Sequence, residues 1–239
     1  MKRLSYYYKR NYYERRKYDL ERRYPSLAMI AETLVKKYKP TMSLDIGCAK
    51  GYLVLALRKL GVDAYGIDVS KYAISCSPEE VRGFLINSDV DFGDLPFKKN
   101  TLDLVTGLEV IEHLQNNNHV ISEIKRVLKN GGILLLATPT SKSLDLLISA
   151  LLGYHKGGYN PTHVNIHSRS FWIKSFQSAG FEFIGDFPPD IRKKINAARQ
   201  PTSKIAELLV YHGGKIGKTI CDELSFALRN PMMFFKKRK

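Results

Sequence analysis

Cysteines and long apolar runs are scarce in this sequence. Its 239 residues include three cysteines, Cys48, Cys76 and Cys221, and their scattered positions show neither zinc-ligand spacing nor a disulfide framework. No run of about 18 apolar residues occurs, so no transmembrane helix is implied. The residues that follow Met1 also lack the apolar stretch of a signal peptide. We therefore expect a protein of the reducing cytoplasm, with peripheral attachment to a membrane as an open alternative.

The charge of the chain is unevenly distributed. The formal net charge is +15. Residues 1–40 hold 12 Lys or Arg against 4 Asp or Glu, and residues 187–239 hold the same numbers. Residues 41–186 hold 14 against 15 and are nearly neutral. Two basic flanks favour an anionic partner, such as nucleic acid, an acidic membrane surface or an anionic substrate. The alternative is that the flanks only keep the protein soluble.

From residue 42 onward, short apolar segments alternate with helical patterns. Strands are predicted over 43–46, 62–67, 83–87, 102–106, 133–137 and 181–184, and a last strand over 231–235 is expected to close an edge. The helix around Val120 to Leu128 is expected to stop at Asn130, Gly131 and Gly132. Strands that alternate with helices are typical of an α/β fold with a doubly wound, mostly parallel sheet.

The turn after the first predicted strand contains three small residues, Gly47, Ala49 and Gly51. Small residues permit a sharp turn and a close approach of the backbone to a ligand. The following helix begins with free N–H groups, and nucleotide-like ligands bind at such positions in α/β sheets. A dinucleotide fingerprint would place a glycine where Tyr52 stands, which counts against a pyrophosphate site. A tight turn without any ligand is the structural alternative.

An acidic residue follows the second predicted strand. Asp68 lies 17 residues after Gly51. A carboxylate at this place can accept hydrogen bonds from both hydroxyls of a ribose. The alternative is that the segment from Asp68 to Ser70 only caps the next helix.

The segment from Leu44 to Gly51, LDIGCAKG, resembles the first motif of class I S-adenosylmethionine-dependent methyltransferases, usually written L-D-x-G-C-G-x-G. The domain is similar to the type 11 and type 23 members. Ala49 replaces the middle glycine, and alanine is unfavourable there if the backbone φ must be positive. The resemblance implies a Rossmann-like sheet with an antiparallel last strand and S-adenosyl-L-methionine as cofactor, released as S-adenosyl-L-homocysteine, with no metal. It also implies that the motif binds the cofactor through Asp45, Gly47, Cys48, Ala49 and Gly51.

Two further segments resemble the same family. By this resemblance, Asp68 and Val69 bind the ribose. The segment from Asp91 to Phe97 resembles the family's D-A-x-x-L-P-F motif, so Asp91 would face the adenine amino group and the Phe92 N–H a ring nitrogen. Asp89 is a rival for the adenine role, because it also follows the third strand.

The segment from Gly107 to Leu114, GLEVIEHL, resembles the loop that lines the methyl-donor side in this family. Leu108 and Glu109 would border the methionine part of the cofactor. His113 could act as a general base for an acceptor hydroxyl, since its ordinary pKa lies near neutrality; the alternative is a structural histidine. His163 is a candidate acceptor-site residue, or else a buried histidine with satisfied hydrogen bonds.

The resemblance covers residues 42–186 and leaves the acceptor-selecting parts outside its core motifs. We divide the chain into a basic, tyrosine-rich helical segment (1–40) and a methyltransferase domain (41–239). Residues 1–40, 140–168 and 189–229 are expected near the methyl end of the cofactor as lids. The last two of these are predicted inserts, with the helical one before the last strand.

The function implied is methyl transfer to an O, N or C atom of a small-molecule, glycan or lipid-linked acceptor, with an anionic acceptor favoured by the basic flanks. An RNA methyltransferase is the alternative, because basic residues interleaved with tyrosines can contact phosphates and stack on bases. Alternatives of another class are a non-catalytic cofactor-binding protein and an NAD-dependent oxidoreductase. The sequence does not indicate the oligomeric state.

Overall fold

The computed structural model describes residues 4–139, 162–198 and 231–238. Within these ranges, none of the helices is both long enough and apolar enough to cross a membrane. The strands are β1 (Met42–Ile46), β2 (Asp63–Asp68), β3 (Leu85–Asn87), β4 (Leu102–Leu108), β5 (Leu128–Ala137), β6 (Phe181–Asp186) and β7 (Met232–Lys237).

The α-helices are α1 (Arg10–Arg15), α2 (Leu20–Tyr38), α3 (Tyr52–Lys59), α4 (Lys71–Ser75), α5 (Glu79–Arg82), α6 (Asn117–Val127), α7 (Arg169–Ser178) and α8 (Pro189–Ala198). Short 3₁₀ turns cover Leu4–Tyr6 and Ile111–His113. Helix α2 begins earlier than the apolar periodicity from residue 27 indicates, because the Asp19 side chain accepts the Arg22 N–H and caps it.

The seven strands form one sheet in the order β3-β2-β1-β4-β5-β7-β6. β1 to β5 are parallel, and β7 runs antiparallel to both of its neighbours, β5 and β6. The mostly parallel α/β sheet with an antiparallel last strand is therefore confirmed. The predicted place of that strand at an edge is wrong. Met232, Met233, Phe234 and Phe235 are all buried, as expected for an inner strand covered on both faces.

Successive side chains of the inner strands enter two separate cores. Leu134 and Leu136 pack on one face, which α6 and α7 cover. Ile133 and Leu135 pack on the other face with residues of α2 and α3. This alternation is the pleat of a doubly wound sheet, and it leaves only the sheet edges for polar sites.

The glycine pair near the start of β5 lies inside the strand rather than beyond a helix end. Helix α6 ends at Val127, and β5 begins at Leu128. The register between β4 and β5 shifts after Leu102 of β4. On the β5 side of this shift, Gly131 has a φ of +80°. The expectation that α6 runs to Asn130 is therefore wrong, because the glycines form a bulge in the strand.

Candidate functional site

A cavity lies where the chain leaves β1, β2 and β4, at the edge formed by the carboxyl ends of the parallel strands. We call this the carboxyl edge. β1 connects to β2 on one side and pairs with β4 on the other, and ligands of open α/β sheets bind at such a switch point. The cavity encloses about 790 Å³, counting the space open to solvent. Its wall includes Gly47, Ala49, Asp68, Val69 and Glu109.

The turn after β1 holds three residues in left-handed backbone conformation. The φ angles are +73° at Gly47, +50° at Ala49 and +72° at Gly51. A Cβ on Gly47 would lie 2.8 Å from Val110 Cγ2, so a side chain does not fit there. Ala49 carries a Cβ at a positive φ and is strained by about 1 kcal/mol. The turn therefore exposes backbone to the cavity, as the sequence predicts.

Asp68 ends β2 on the wall of the cavity. Its Oδ2 accepts the Ala49 N–H at 2.8 Å, and its Oδ1 accepts the Ser70 N–H at 2.7 Å. Burial raises the pKa of this carboxyl, while the N–H groups of Ser70 and Ala49 oppose that shift. Each carboxylate oxygen can accept a second hydrogen bond, so the chemistry of Asp68 fits a vicinal diol.

Asp45 lies behind the cavity wall rather than on it. The Thr106 hydroxyl donates to Asp45 Oδ1 at 2.6 Å. Burial raises the pKa of Asp45 to about 7, and the nearby charge of Asp68 adds to the shift. A buried carboxyl with a perturbed pKa next to a cavity is a candidate functional group.

Two other residues of the first motif also lie outside the cavity wall. The Cys48 side chain packs against the backbone of β2, where a Cβ on Gly66 would lie 2.7 Å from its Sγ. Gly51 is the residue before α3, and a Cβ there would lie 2.8 Å from Leu85 Cδ1. Their cofactor-binding roles stay predictions, and the structure gives both residues a part in shaping the turn.

Of the two aspartates considered for the adenine role, Asp89 lies at the cavity and Asp91 does not. Asp89 and Val90 belong to its wall. Asp91 is buried and accepts the backbone N–H groups of Gln115 and Asn116. The Phe92 side chain is 69% exposed. Because the Asp91 carboxylate serves the loop before α6, the geometry favours Asp89 for the adenine role that the family resemblance assigns to Asp91 and Phe92.

The loop after β4 brings its predicted residues to the cavity. Leu108, Glu109 and His113 are on the wall. Glu109 has a φ of +58°, and its N–H donates to the Ala137 carbonyl at 2.7 Å. A charged residue held in this conformation at a cavity is typical of a functional position.

His113 is buried and surrounded by hydrogen-bonding groups. Its Nδ1 lies 2.8 Å from Thr162 Oγ1, 3.1 Å from the Thr162 carbonyl and 3.0 Å from the Tyr8 hydroxyl. Burial, and next the neighbouring His163, lower the pKa of His113 to about 4. The imidazole is thus neutral near pH 7 and only weakly basic, which weighs against its predicted role as a general base.

His163 lies beside His113, with 4.7 Å between the ring centroids. Burial lowers the pKa of His163 as well. The Val164 and Asn165 N–H groups both donate to the Glu112 carbonyl, at 2.9 and 3.0 Å. These contacts therefore bring together His113 and His163, two candidate site residues that are 50 positions apart in the sequence.

Tyrosines of the N-terminal segment form the outer wall of the cavity. Tyr8, Tyr12, Tyr13 and Tyr18 all line it. The Ser70 hydroxyl donates to the Tyr8 carbonyl at 2.6 Å, which ties this segment to the loop after β2. The sequence predicts this segment near the site from its composition but does not single out these four residues. Their signal is the density of tyrosine before residue 20.

The other two predicted lid regions lie partly outside the described residues, namely 140–161 and 199–230. In the first region, Thr162 and His163 contact the site. In the second, Ile191 and Ile195 of α8 pack with Ile30 and Leu34 of α2 on one face of the sheet. The described part of that region therefore does not cover the cavity, because its apolar side is buried against α2.

Comparison with known proteins agrees with this arrangement. Residues 44–136 match the family described as "Methyltransferase domain". Over these residues the chain is similar to methyltransferase domains. A chain in the complex between the Haloferax volcanii Trm112 methyltransferase activator and a methyltransferase shares the fold of this domain, with a TM-score of 0.66 over 95% of each chain at 18% identity.

Curated relatives of the methyltransferase domain differ in the acceptor that their names print. The domain is 29% identical over 135 residues to ubiquinone biosynthesis O-methyltransferase of Pelagibacter ubique, covering 52% of this chain and 56% of that protein. It is 32% identical over 113 residues to norajmaline N-methyltransferase of Rauvolfia serpentina, covering 45% and 39% respectively. The matches thus span about half the length of these relatives or less, and they include both O- and N-methyltransferases.

Proposed function

We propose that this methyltransferase domain binds S-adenosylmethionine in the cavity at the carboxyl edge and transfers its methyl group to a small acceptor. The observation that carries the proposal is the pair formed by the left-handed turn at Gly47 and the Asp68 carboxylate. Both lie on one cavity wall at a topological switch point. Tyr52 stands at the start of α3, stacked on Tyr18 with 5.8 Å between ring centroids, and fills the place where a dinucleotide site needs a glycine.

The residues present fit this cofactor. Asp68 offers two acceptors for the ribose hydroxyls, and Asp89 with Val90 offers a carboxylate and backbone for the adenine. Leu108 and Glu109 lie on the wall where the methionine part is expected. Gly47 lets the backbone come close to it. When bound, the cofactor supplies an electrophilic sulfonium methyl group.

The main task of the protein is then to align the acceptor with that methyl group and to exclude water. Val110 and Leu114 supply apolar wall, and Tyr8 and Tyr12 supply aromatic wall. Tyr8 is held in place by its contacts with Thr162 and His113. These groups orient an acceptor, and the neutral His113 can exchange a hydrogen bond with it.

We favour a small acceptor with an apolar or aromatic body and an anionic group. The aromatic wall of the cavity supports an apolar or aromatic body. The preference for an anionic group rests on Arg16. Its guanidinium lies 5.1 Å from the centre of the Tyr12 ring, and its charge acts on His113 and His163. An RNA acceptor would need the same basic segment to contact phosphates.

The first experiment is a calorimetric titration of the full chain with S-adenosylmethionine, S-adenosylhomocysteine and NAD. We expect the first two to bind and Asp68→Asn to weaken them roughly 10- to 100-fold, because hydrogen bonds to a charged acceptor are lost. Asp63→Asn is the matched control, since Asp63 begins the strand that Asp68 ends. Binding of NAD alone, or equal affinity in all three proteins, would contradict the proposal.

A second experiment supplies methyl-labelled cofactor and two acceptor panels. One contains small phenols and amines with and without a carboxylate or phosphate, and the other contains short RNAs. Label transferred to anionic small molecules and reduced by Arg16→Gln supports the acceptor class proposed. Label found only on RNA would overturn the acceptor class and leave methyl transfer standing.

A further inference from the structure

Three side chains beside the cavity form a cluster with the chemistry of a metal site. One ligand atom from each of Glu112, His113 and His163 lies within 4.8 Å of the others. Glu112 and His113 are buried, with their Oε1 and Nε2 atoms 3.9 Å apart. Two imidazoles and one carboxylate are a recurrent ligand set for divalent first-row metals.

Hydrogen bonds orient two of the three ligand atoms of the cluster toward each other. His113 Nδ1 lies 3.1 Å from the Thr162 carbonyl, and an N–H donated there leaves the Nε2 lone pair directed at Glu112. The Thr138 hydroxyl donates to Glu112 Oε2 at 3.0 Å, so Oε1 is the oxygen that faces His113. Metal-bound histidines typically have this arrangement, in which the second ring nitrogen bonds to a carbonyl.

The carboxylate of the cluster also has no Lys or Arg partner within 4 Å among the described residues. Among the described residues, His113 is the basic group within 4 Å of the Glu112 carboxylate. Glu109 lies on the same cavity wall as His113, and its left-handed φ of +58° is a second, independent sign of a constrained functional position.

We propose that Glu112, His113 and His163 bind one divalent first-row transition-metal ion, such as Mn²⁺, Fe²⁺ or Zn²⁺, with Glu109 as a second carboxylate nearby. This differs from the expectation of a metal-free protein drawn from the sequence. Binding of the ion does not depend on the proposed methyl transfer. Its role does rest on that function, because His113 and Glu109 face the cavity and an oxygen of the acceptor could complete the coordination. The ion would then lower the pKa of an acceptor hydroxyl and replace a general base.

The test is a titration of the chelator-treated full chain with Co²⁺, followed by the visible absorption of the bound ion. We expect a saturable one-to-one spectrum in the wild type. His163→Asn and Glu112→Gln should each weaken binding about tenfold or more. The matched control is His119→Asn, whose side chain lies on α6 near the Gly93 carbonyl and should change affinity less than about twofold.

Circular dichroism checks that each variant is folded, and His163→Asn decides the matter if Glu112→Gln does not fold. No Co²⁺ spectrum in the wild type, or the same affinity in His163→Asn and the wild type, would overturn the site. A parallel titration with S-adenosylmethionine in chelator separates the two proposals. Loss of cofactor binding alone contradicts the proposed function, and loss of the Co²⁺ signal alone contradicts the metal site.

Discussion

The acidic residues at the two ends of the central strands differ in their hydrogen-bond and ion-pair partners. Asp103 lies at the edge formed by the amino ends of the parallel strands, which we call the amino edge. Its Oδ2 accepts the Thr41 N–H, the Thr41 hydroxyl and the Met42 N–H, and its Oδ1 accepts the Lys129 ammonium. At the carboxyl edge, Asp45 and Asp68 are buried without a Lys or Arg within 4 Å among the described residues. The acidic residue at the amino edge has a cationic partner, whereas the two at the carboxyl edge have none among the described residues, so burial there favours a ligand that supplies compensating contacts.

The largest effect is expected from Asp45→Asn, which removes a buried charge. Burial raises the Asp45 pKa to about 7, above its unfolded value of about 3.9. The folded protein therefore loses stability as the pH rises from about 4 to about 7. The amide that replaces the carboxyl keeps an acceptor for the Thr106 hydroxyl and avoids that loss. We expect the variant to be more stable by about 3 kcal/mol at pH 8 and unchanged at pH 4, measured by urea unfolding.

Urea unfolding at pH 8 can also contradict the expectation for Asp45→Asn. A variant that is less stable than the wild type at pH 8 would mean that the Asp45 carboxylate is already balanced in the folded protein. The comparison between the two edges would then lose its physical basis. Unfolding with Asp68→Asn in parallel separates the two carboxyls, because the Asp68 charge contributes to the Asp45 shift.

Asp103→Asn should have a smaller effect of opposite sign. Burial alone would raise the Asp103 pKa, but Lys129, Thr41 and Met42 together lower it to about 2. Its stabilisation is therefore present above about pH 4 and lost as the pH falls through 2. We expect Asp103→Asn to be less stable by about 1 kcal/mol at pH 7. Asp63→Asn at the same edge is a control, because its partly exposed ion pair with Arg58 should contribute less than about 1 kcal/mol.

The smallest effect is expected at Ala49, where φ is +50°. Glycine adopts this conformation without strain, so Ala49→Gly should stabilise the protein by about 0.5 kcal/mol in spite of the lost methyl contact. Ala73 lies in α4 and is buried in one apolar cluster with Ala49 and Tyr13. Ala73→Gly should therefore destabilise by about 1 kcal/mol. Thermal unfolding of both variants would contradict the strain at Ala49 if the two changes had the same sign.

Local patterns were sufficient for much of the fold. The turn between Asp45 and Gly51 and the acid at Asp68 are short segments whose strand and helix flanks specify their shape, so their places follow from the sequence. The position of β7 between β5 and β6 did not follow, although the buried run from Met232 to Phe235 carries the signal of an inner strand. An edge strand was inferred from its place in the chain rather than from its two apolar faces.

Sites made from distant segments were harder to predict. Asp91 and Asp89 are two residues apart, and their different positions depend on the loop at Gln115, whose backbone N–H binds the Asp91 carboxylate. His163 was a candidate by itself, but its neighbour Glu112 was not, because tertiary contacts place the two side chains together. Periodicity reports which side of a strand or helix is buried, and it carries no information on which loops meet.

The wall formed by Tyr8 has a consequence for how the protein folds. Its partners lie 62, 105 and 154 positions away in the sequence, at Ser70, His113 and Thr162. Each of these contacts closes a large loop of the chain at a cost in conformational entropy, and each requires a different segment to be in position. The cavity is therefore complete only when the whole scaffold is in place, so a ligand that needs this wall binds the finished fold and discriminates against partly folded chains.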